Sequence, residues 1–312
     1  MVPAKHVVIP GGWGFLGRSL TDRLTARGDR VTILSRSQPA SGDGWESVHW
    51  DGASPGPWAE VLEGADAVVH LSGRRVDCRP TRRNRDELIA SRVEPVRAVG
   101  EAIRLCQSPP PVWVQASSLA IFGEGGDEIV DERTPPSGRG PAQMVQVCLA
   151  WEAAFGAATG GVDRAVLLRM GIGLGGTGDP ATERLAWLVR RGLGGKAGSG
   201  RQWVSWVALD DLLDVMVRAL DDEAMRGLYH VTCPTPVTNA EMMATYRKLL
   251  GRRFGLPAPV PVTFLGALLL GSDPALALTG RRCVPTRLLG EGFEFSVPTF
   301  EEAAARALAS TG

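Results

Sequence analysis

The stretch HVVIPGGWGFLG, His6 to Gly17, decides the fold. An apolar, β-branched run enters a glycine-spaced turn at Gly11, Gly14 and Gly17. A helical pattern follows, with Leu16, Leu20 and Leu24 on one stripe. In this setting each glycine has its own duty: Gly11 makes the tight turn, Gly14 lets a pyrophosphate approach the backbone, and Gly17 lets the helix pack on the strand. The helix N-terminus is then aimed at the anion, as in a dinucleotide-binding βαβ unit. Glycine supplies 39 of the 312 residues, so the triplet means little without the strand before it and the helix after it.

Outward from this unit, short β-branched runs alternate with longer helical patterns, as in a parallel sheet covered by helices. Strands are predicted at 6–9, 30–34, 47–50, 67–71, 112–116 and 164–169. Helices are predicted over about 87–105 and 145–159, and Gly28 reads as the C-cap of the first helix. After Met170 the texture changes: glycine-rich loops at 171–178 and 192–200 flank a helical stretch at 181–191, and prolines punctuate 233–236 and 256–261. The predicted architecture is α/β, a Rossmann-type doubly wound parallel sheet over residues 1–170 with 201–232 returning to it. Residues 171–200 and 233–312 form a smaller, interleaved C-terminal substrate lobe.

With 44% hydrophobic and 22% charged residues the composition is that of an ordinary globular protein. A formal net charge of zero argues against nucleic acid or a membrane as partner and leaves a small-molecule substrate. Arginine outnumbers lysine 31 to 3, so the cluster Arg79, Arg82, Arg83 and Arg85 reads first as a solvated face. The five cysteines are odd in number, widely spaced and lack a C-x-x-C pair, which speaks against a disulfide framework and against a metal site. The chain enters its first strand directly, and its longest apolar run, near 262–270, is too short to span a bilayer. A cytoplasmic location is the expectation.

Cofactor choice is read where the second strand ends, Leu34-Ser35-Arg36. An acidic residue there would favour NAD, whereas an arginine accommodates a 2′-phosphate. With Arg36, and Arg18 after the third glycine, the expected cofactor is NADP(H). Asp51, at the end of the third strand, is either an adenine contact or a turn residue before Gly52. Leu71, Ser72 and Gly73 end the fourth strand where backbone approaches the cofactor, and Trp13, Phe15 and Leu16 complete the glycine turn.

These motifs occur with Asp66 to Gly73, Ser91-Arg92-Val93, Ala116-Ser117-Ser118, Phe122-Gly123, Trp151-Glu152 and the run GSGRQWVSW at 198–206. On them the chain resembles the atypical extended short-chain dehydrogenase/reductases, and more narrowly the epimerase family proteins of the NAD-dependent epimerase/dehydratase-like kind. The resemblance continues through Pro236 to Asn239, Arg282 to Pro285 and Gly292 to Phe295. It implies a nicotinamide cofactor across the sheet with Arg92 among its binding residues, a substrate between the lobes, and a homodimer through the helices at 87–105 and 145–159.

In active members of that superfamily a Tyr, a Lys four residues later and a Ser or Thr carry the proton. Here Tyr229 and Tyr246 are followed at the fourth position by Cys233 and Leu250, so the pair is absent. Alignment on Trp151-Glu152 puts Met144 and Cys148 at its two positions, and Ser118 at the serine. Cys148 reads as a packing thiol on an apolar helix face. Asp131, Glu132, Asp210, Asp211 and His70 are other candidate proton carriers, each with a structural reading as cap, ion-pair partner or strand-end group. Arg169 and Arg201 are candidates for an anionic substrate group, with Arg201 favoured because Trp203 and Trp206 follow it as a possible aromatic wall. The function so read is an NADP(H)-dependent oxidoreductase or epimerase-like enzyme. The alternatives are a non-catalytic NADP(H)-binding sensor or partner-binding protein, and non-redox cyclisation or elimination in the same cleft.

Overall fold

The computed structural model describes residues 3–37, 41–136, 139–140 and 142–310. Strand β1 (His6–Pro10) runs into helix α1 (Phe15–Arg27), followed by β2 (Arg30–Ser35), β3 (Trp45–His49), β4 (Ala67–His70), α2 (Arg82–Leu105) and β5 (Val112–Ser118). Then come β6 (Ile129–Val130), α3 (Ala142–Ala158), β7 (Arg164–Met170), β8 (Ile172–Leu174) and α4 (Pro180–Arg190). The next elements are β9 (Trp203–Val204), β10 (Trp206–Ala208), α5 (Leu209–Asp221), β11 (Gly227–Val231) and β12 (Val237–Thr238). The chain ends with α6 (Asn239–Leu249), α7 (Val260–Leu270), α8 (Ala275–Leu278), β13 (Arg282–Cys283), α9 (Thr286–Gly290) and α10 (Phe300–Ala309).

Seven strands form one sheet in the order β11-β7-β5-β4-β1-β2-β3, every pair parallel. This is a Rossmann-like fold. The order reverses between β1 and β4, which opens a crevice at their C-terminal ends. Alternation along β1 sends Val7 and Ile9 to one face, where Leu20 and Leu24 of α1 and Leu212 and Met216 of α5 cover them. Val8 faces the other side, against Val96 and Val99 of α2 and Trp151 and Phe155 of α3.

The six expected strands are present, β3 displaced toward the N-terminus. The seventh, β11, was not foreseen as a strand; it pairs with β7 after the α5 crossover. Helix α2 starts at Arg82 rather than near 87, because Thr81 caps it through a hydroxyl that accepts from Asn84 N. The arginines of that first turn carry no apolar periodicity, so the pattern alone missed them. Gly28 closes α1 with φ +96°. A smaller core joins Val189 of α4, Trp206 of β10, Met243 and Tyr246 of α6 and Phe300 of α10. Leu288, Phe293 and Phe295 return to pack on the main core, so the C-terminal segment alternates between the two.

In the first βαβ unit, Gly11 and Gly17 leave no room for a side chain. Gly11 has φ +78°, and a Cβ there would lie 2.6 Å from Ser72 Cα. A Cβ on Gly17 would lie 2.5 Å from Gly12 Cα, so glycine lets α1 seat against the turn. Gly17→Ala should therefore destabilise the protein by roughly 2 kcal/mol or more. Gly156→Ala on α3, where a Cβ meets nothing within 4 Å, should stabilise by about 0.5–1 kcal/mol. Urea unfolding of the two variants checks both signs.

Candidate functional site: a cofactor cleft and a vacated dyad

The ends of β1, β2 and β4 are tied together by Gly11 N donating to Leu34 O at 3.0 Å and Leu71 N donating to Pro10 O at 2.9 Å. Gly14 caps α1, whose first turn holds no acidic residue, so nothing opposes the positive end of the helix dipole. A Cβ on Gly14 would meet only Gly11 O, at an ordinary 3.6 Å. The protein itself does not need glycine there, but a group approaching from outside would. Beside this turn Ser72 Oγ is buried and, among the described residues, has no hydrogen-bond partner.

A cleft of about 660 Å³ opens here, lined by Arg36, Gly73, Arg74, Arg75, Asp77, Cys78 and Arg184. Arg74 pairs with Glu87, and Arg184 pairs with Asp77 at 2.6 Å. Among the described residues Arg36 and Arg75 have no carboxylate partner. Arg18, exposed, lies over the Trp13 ring at 5.7 Å, and Trp13 packs on Trp45. The buried hydroxyl, the cations and the glycine turn fit the phosphates of a dinucleotide. Arg75 was not foreseen, because in an arginine-rich run only the fold shows which member faces Arg36 across a cleft.

Other foreseen residues have packing or turn roles. Asp51 Oδ1 accepts from Ala53 N at 2.9 Å and Ser54 N at 3.0 Å, bonds that close a turn and hold its carboxyl below the usual range. Leu16 packs on the main core and Leu71 on both faces of the sheet. The Phe15 ring closes on Gly175, and Ser35 Oγ bonds Ser37 Oγ at 3.0 Å. Arg92 is buried, donates to Leu88 O, Arg74 O and Ser91 Oγ, and lies over Trp151 at 5.1 Å. Its guanidinium backs Gly73, supporting that loop from behind.

At the end of β5, Ser118 Oγ accepts from Ala120 N at 3.2 Å, which leaves its proton available to donate. Met144 packs against two small apolar clusters. Cys148 is fully buried, and burial pushes its thiol up to about 12, so no thiolate forms near neutrality. Arg169 is not available to a substrate: Glu152 grips it at 2.9 and 2.8 Å and also accepts from Ser117 Oγ. Asp131 closes a turn on Arg133 N, Glu132 accepts from His230 N, and Asp210 pairs with Arg23. Asp211 accepts from Ser296 N and Oγ, anchoring the C-terminal segment. Arg201 is exposed and lies 3.7 Å from Asp127, which also accepts from Trp203 Nε1. Trp206 corrects the expected aromatic wall: it is fully buried in the smaller core, donates to Thr235 O and meets Phe300 edge-on. Trp203 and Trp206 lie in different strands, β9 pairing with β12 and β10 with β8, so they do not form one wall.

Fold and cleft together define a Rossmann-like α/β protein with a dinucleotide-type crevice. The chain belongs to the NAD dependent epimerase/dehydratase family, whose model matches residues 7–231. Residues 260–307 match a domain of unknown function, DUF1731. The human epimerase family protein SDR39U1 is 32% identical over 297 residues, 94% of this chain and 96% of that protein. The chloroplastic SDR39U1 homolog of Arabidopsis thaliana is 30% identical, over 95% of this chain and 85% of that protein. A crystal structure of human SDR39U1 (isoform 2) with NADPH superimposes with a TM-score of 0.82 at 31% identity, covering 97% of this chain and 99% of that one.

Two buried histidines give the site a pH signature. Burial, first among the causes, depresses His70 to about 3 and His230 to about 4. Above pH 6.5 both are neutral folded or unfolded. Below it the unfolded chain takes up protons that the folded chain refuses, so stability should fall by about 1.4 kcal/mol per pH unit per histidine down to about pH 4. His70→Leu should remove one proton from that slope, measurable by urea unfolding between about pH 7 and 5.

Proposed function

We propose that the protein is an NADP(H)-dependent oxidoreductase or epimerase-like enzyme acting on a small molecule without a Tyr/Lys pair. The observation that carries this reading is the cleft at the sheet's switch point, where Arg36 and Arg75 lack carboxylate partners beside the open Gly11–Gly14 turn. The crystal structure of the human relative with NADPH supports it.

Arg36 and Arg75 would hold the 2′-phosphate through charge-assisted hydrogen bonds. The α1 N-terminus would take the pyrophosphate, and Ser72 Oγ would gain the partner it lacks. A nicotinamide bound there supplies or accepts a hydride. Ser118 donates to and polarises a substrate carbonyl, one of its lone pairs engaged by Ala120 N. Proton exchange falls to water, since Asp131, Glu132, Asp210 and Asp211 are engaged elsewhere and His70 is buried neutral. A second reading, a non-catalytic NADP(H)-binding protein, draws on Met144 and Cys148, two packing side chains at the dyad positions.

Nicotinamide fluorescence titration tests both. NADPH should bind more tightly than NADH, and Arg36→Ala and Arg75→Ala should each weaken NADPH about tenfold while barely changing NADH. No binding of either nucleotide sinks both readings. Binding without turnover on a panel of carbonyl compounds, with Ser118→Ala indistinguishable from wild type, selects the second.

A further inference from the structure

Helix α7, VPVTFLGALLL, carries no charge and buries only Ala267. Leu269 is 77% exposed, and Phe254, just before the helix, is 69% exposed. A contiguous apolar surface of this kind on a folded protein marks an interaction site. The patch is held in place: Arg79 Nη2 donates to Leu268 O at 3.1 Å, Ser272 Oγ bonds Asp77, and Gly271 closes the helix at φ +68°.

Its geometry separates a protein partner from a lipid one. At 3.6 residues per turn, Val260, Val262, Phe264, Leu265, Leu268, Leu269 and Leu270 spread their exposed side chains over roughly 280° of the helix circumference. A helix docking on a protein buries a stripe of about 100°. A second copy of this chain would therefore leave most of these side chains in water, whereas acyl chains can surround them. The charge beside the helix is basic. Residues 74–87 hold six arginines against three carboxylates, and residues 247–253 hold four cations and no acid. Arg252 and Arg253 are exposed, and among the described residues neither they nor Arg79 have a carboxylate partner.

We infer that α7 inserts into the headgroup and upper acyl region of an anionic lipid surface, with the flanking arginines on its phosphates. Apolar insertion plus a basic rim are the two signals that stable interfacial binding takes. The zero net charge and the shortness of the apolar run, which argue against long-range attraction and against spanning, do not bear on a helix lying in the interface. The inference is independent of the cofactor reading.

The test is co-sedimentation of the full chain with vesicles of phosphatidylcholine alone and of phosphatidylcholine mixed with phosphatidylglycerol. The protein should pellet with the anionic vesicles. Leu265→Glu combined with Leu269→Glu, two exposed positions whose change spares the core, should abolish pelleting while leaving the melting temperature close to wild type. Arg252→Gln and Arg253→Gln should each weaken it about fivefold, as should added salt. Absence of pelleting with the anionic vesicles overturns the inference, as does pelleting that the double glutamate variant retains. A wild-type dimer in sedimentation velocity that the same variant dissociates, without vesicle binding, assigns the helix to a second copy instead.

Discussion

The turn after β1 is pressed backbone to backbone against the end of β4, with a Gly11 Cβ position 2.6 Å from Ser72 Cα, and the cleft depends on that contact. The approach leaves no room for a side chain at Gly11, and the contact of Gly17 with Gly12 fixes α1 over the sheet. Together they bring the N-terminus of α1, the end of β2 and the loop after β4 around one crevice. Gly11 is required for space as well as for φ, and Gly17 for space alone, whereas Gly64 and Gly192 have open space around them and only relieve backbone strain.

In so arginine-rich a chain, counter-charge and burial sort the structural guanidinium groups from those able to meet a ligand. Arg164 donates to Ala219 O, Leu220 O and Met225 O, joining β7 to the negative end of α5. Arg169 is locked to Glu152, so removing that carboxylate would leave a buried charge unpaired, typically far costlier than losing a surface pair. Arg287 bonds Tyr229 Oη and Glu291, fastening the C-terminal segment to β11. Arg36 and Arg75 differ from all of these in facing the cleft without a carboxylate.

The same sorting applies to apolar groups. Met144, Cys148 and Trp206 turn inward, and the chemistry that a sequence reader could assign to them disappears into packing. Helix α7 does the opposite, presenting leucine and phenylalanine to the outside beside a basic rim. Its position next to Asp77 and Arg79 puts it close to the mouth of the cleft.

The sequence by itself determined the βαβ beginning, the parallel sheet and the absent Tyr/Lys pair, because strand alternation, helical stripes and glycine spacing are local and periodic. Asp51 has two readings in one dimension, since a turn carboxylate and an adenine contact look alike there; its bonds from Ala53 N and Ser54 N are visible only in the folded chain. Only the tertiary structure picked Arg75 out of its arginine run, buried Trp206 and engaged Arg169. Whether a charged or aromatic side chain meets solvent, a counter-ion or a core depends on which distant segments fold against it. That information lies in contacts such as Arg169 with Glu152 and Trp206 with Phe300, between elements whose spacing along the chain carries no periodic signal.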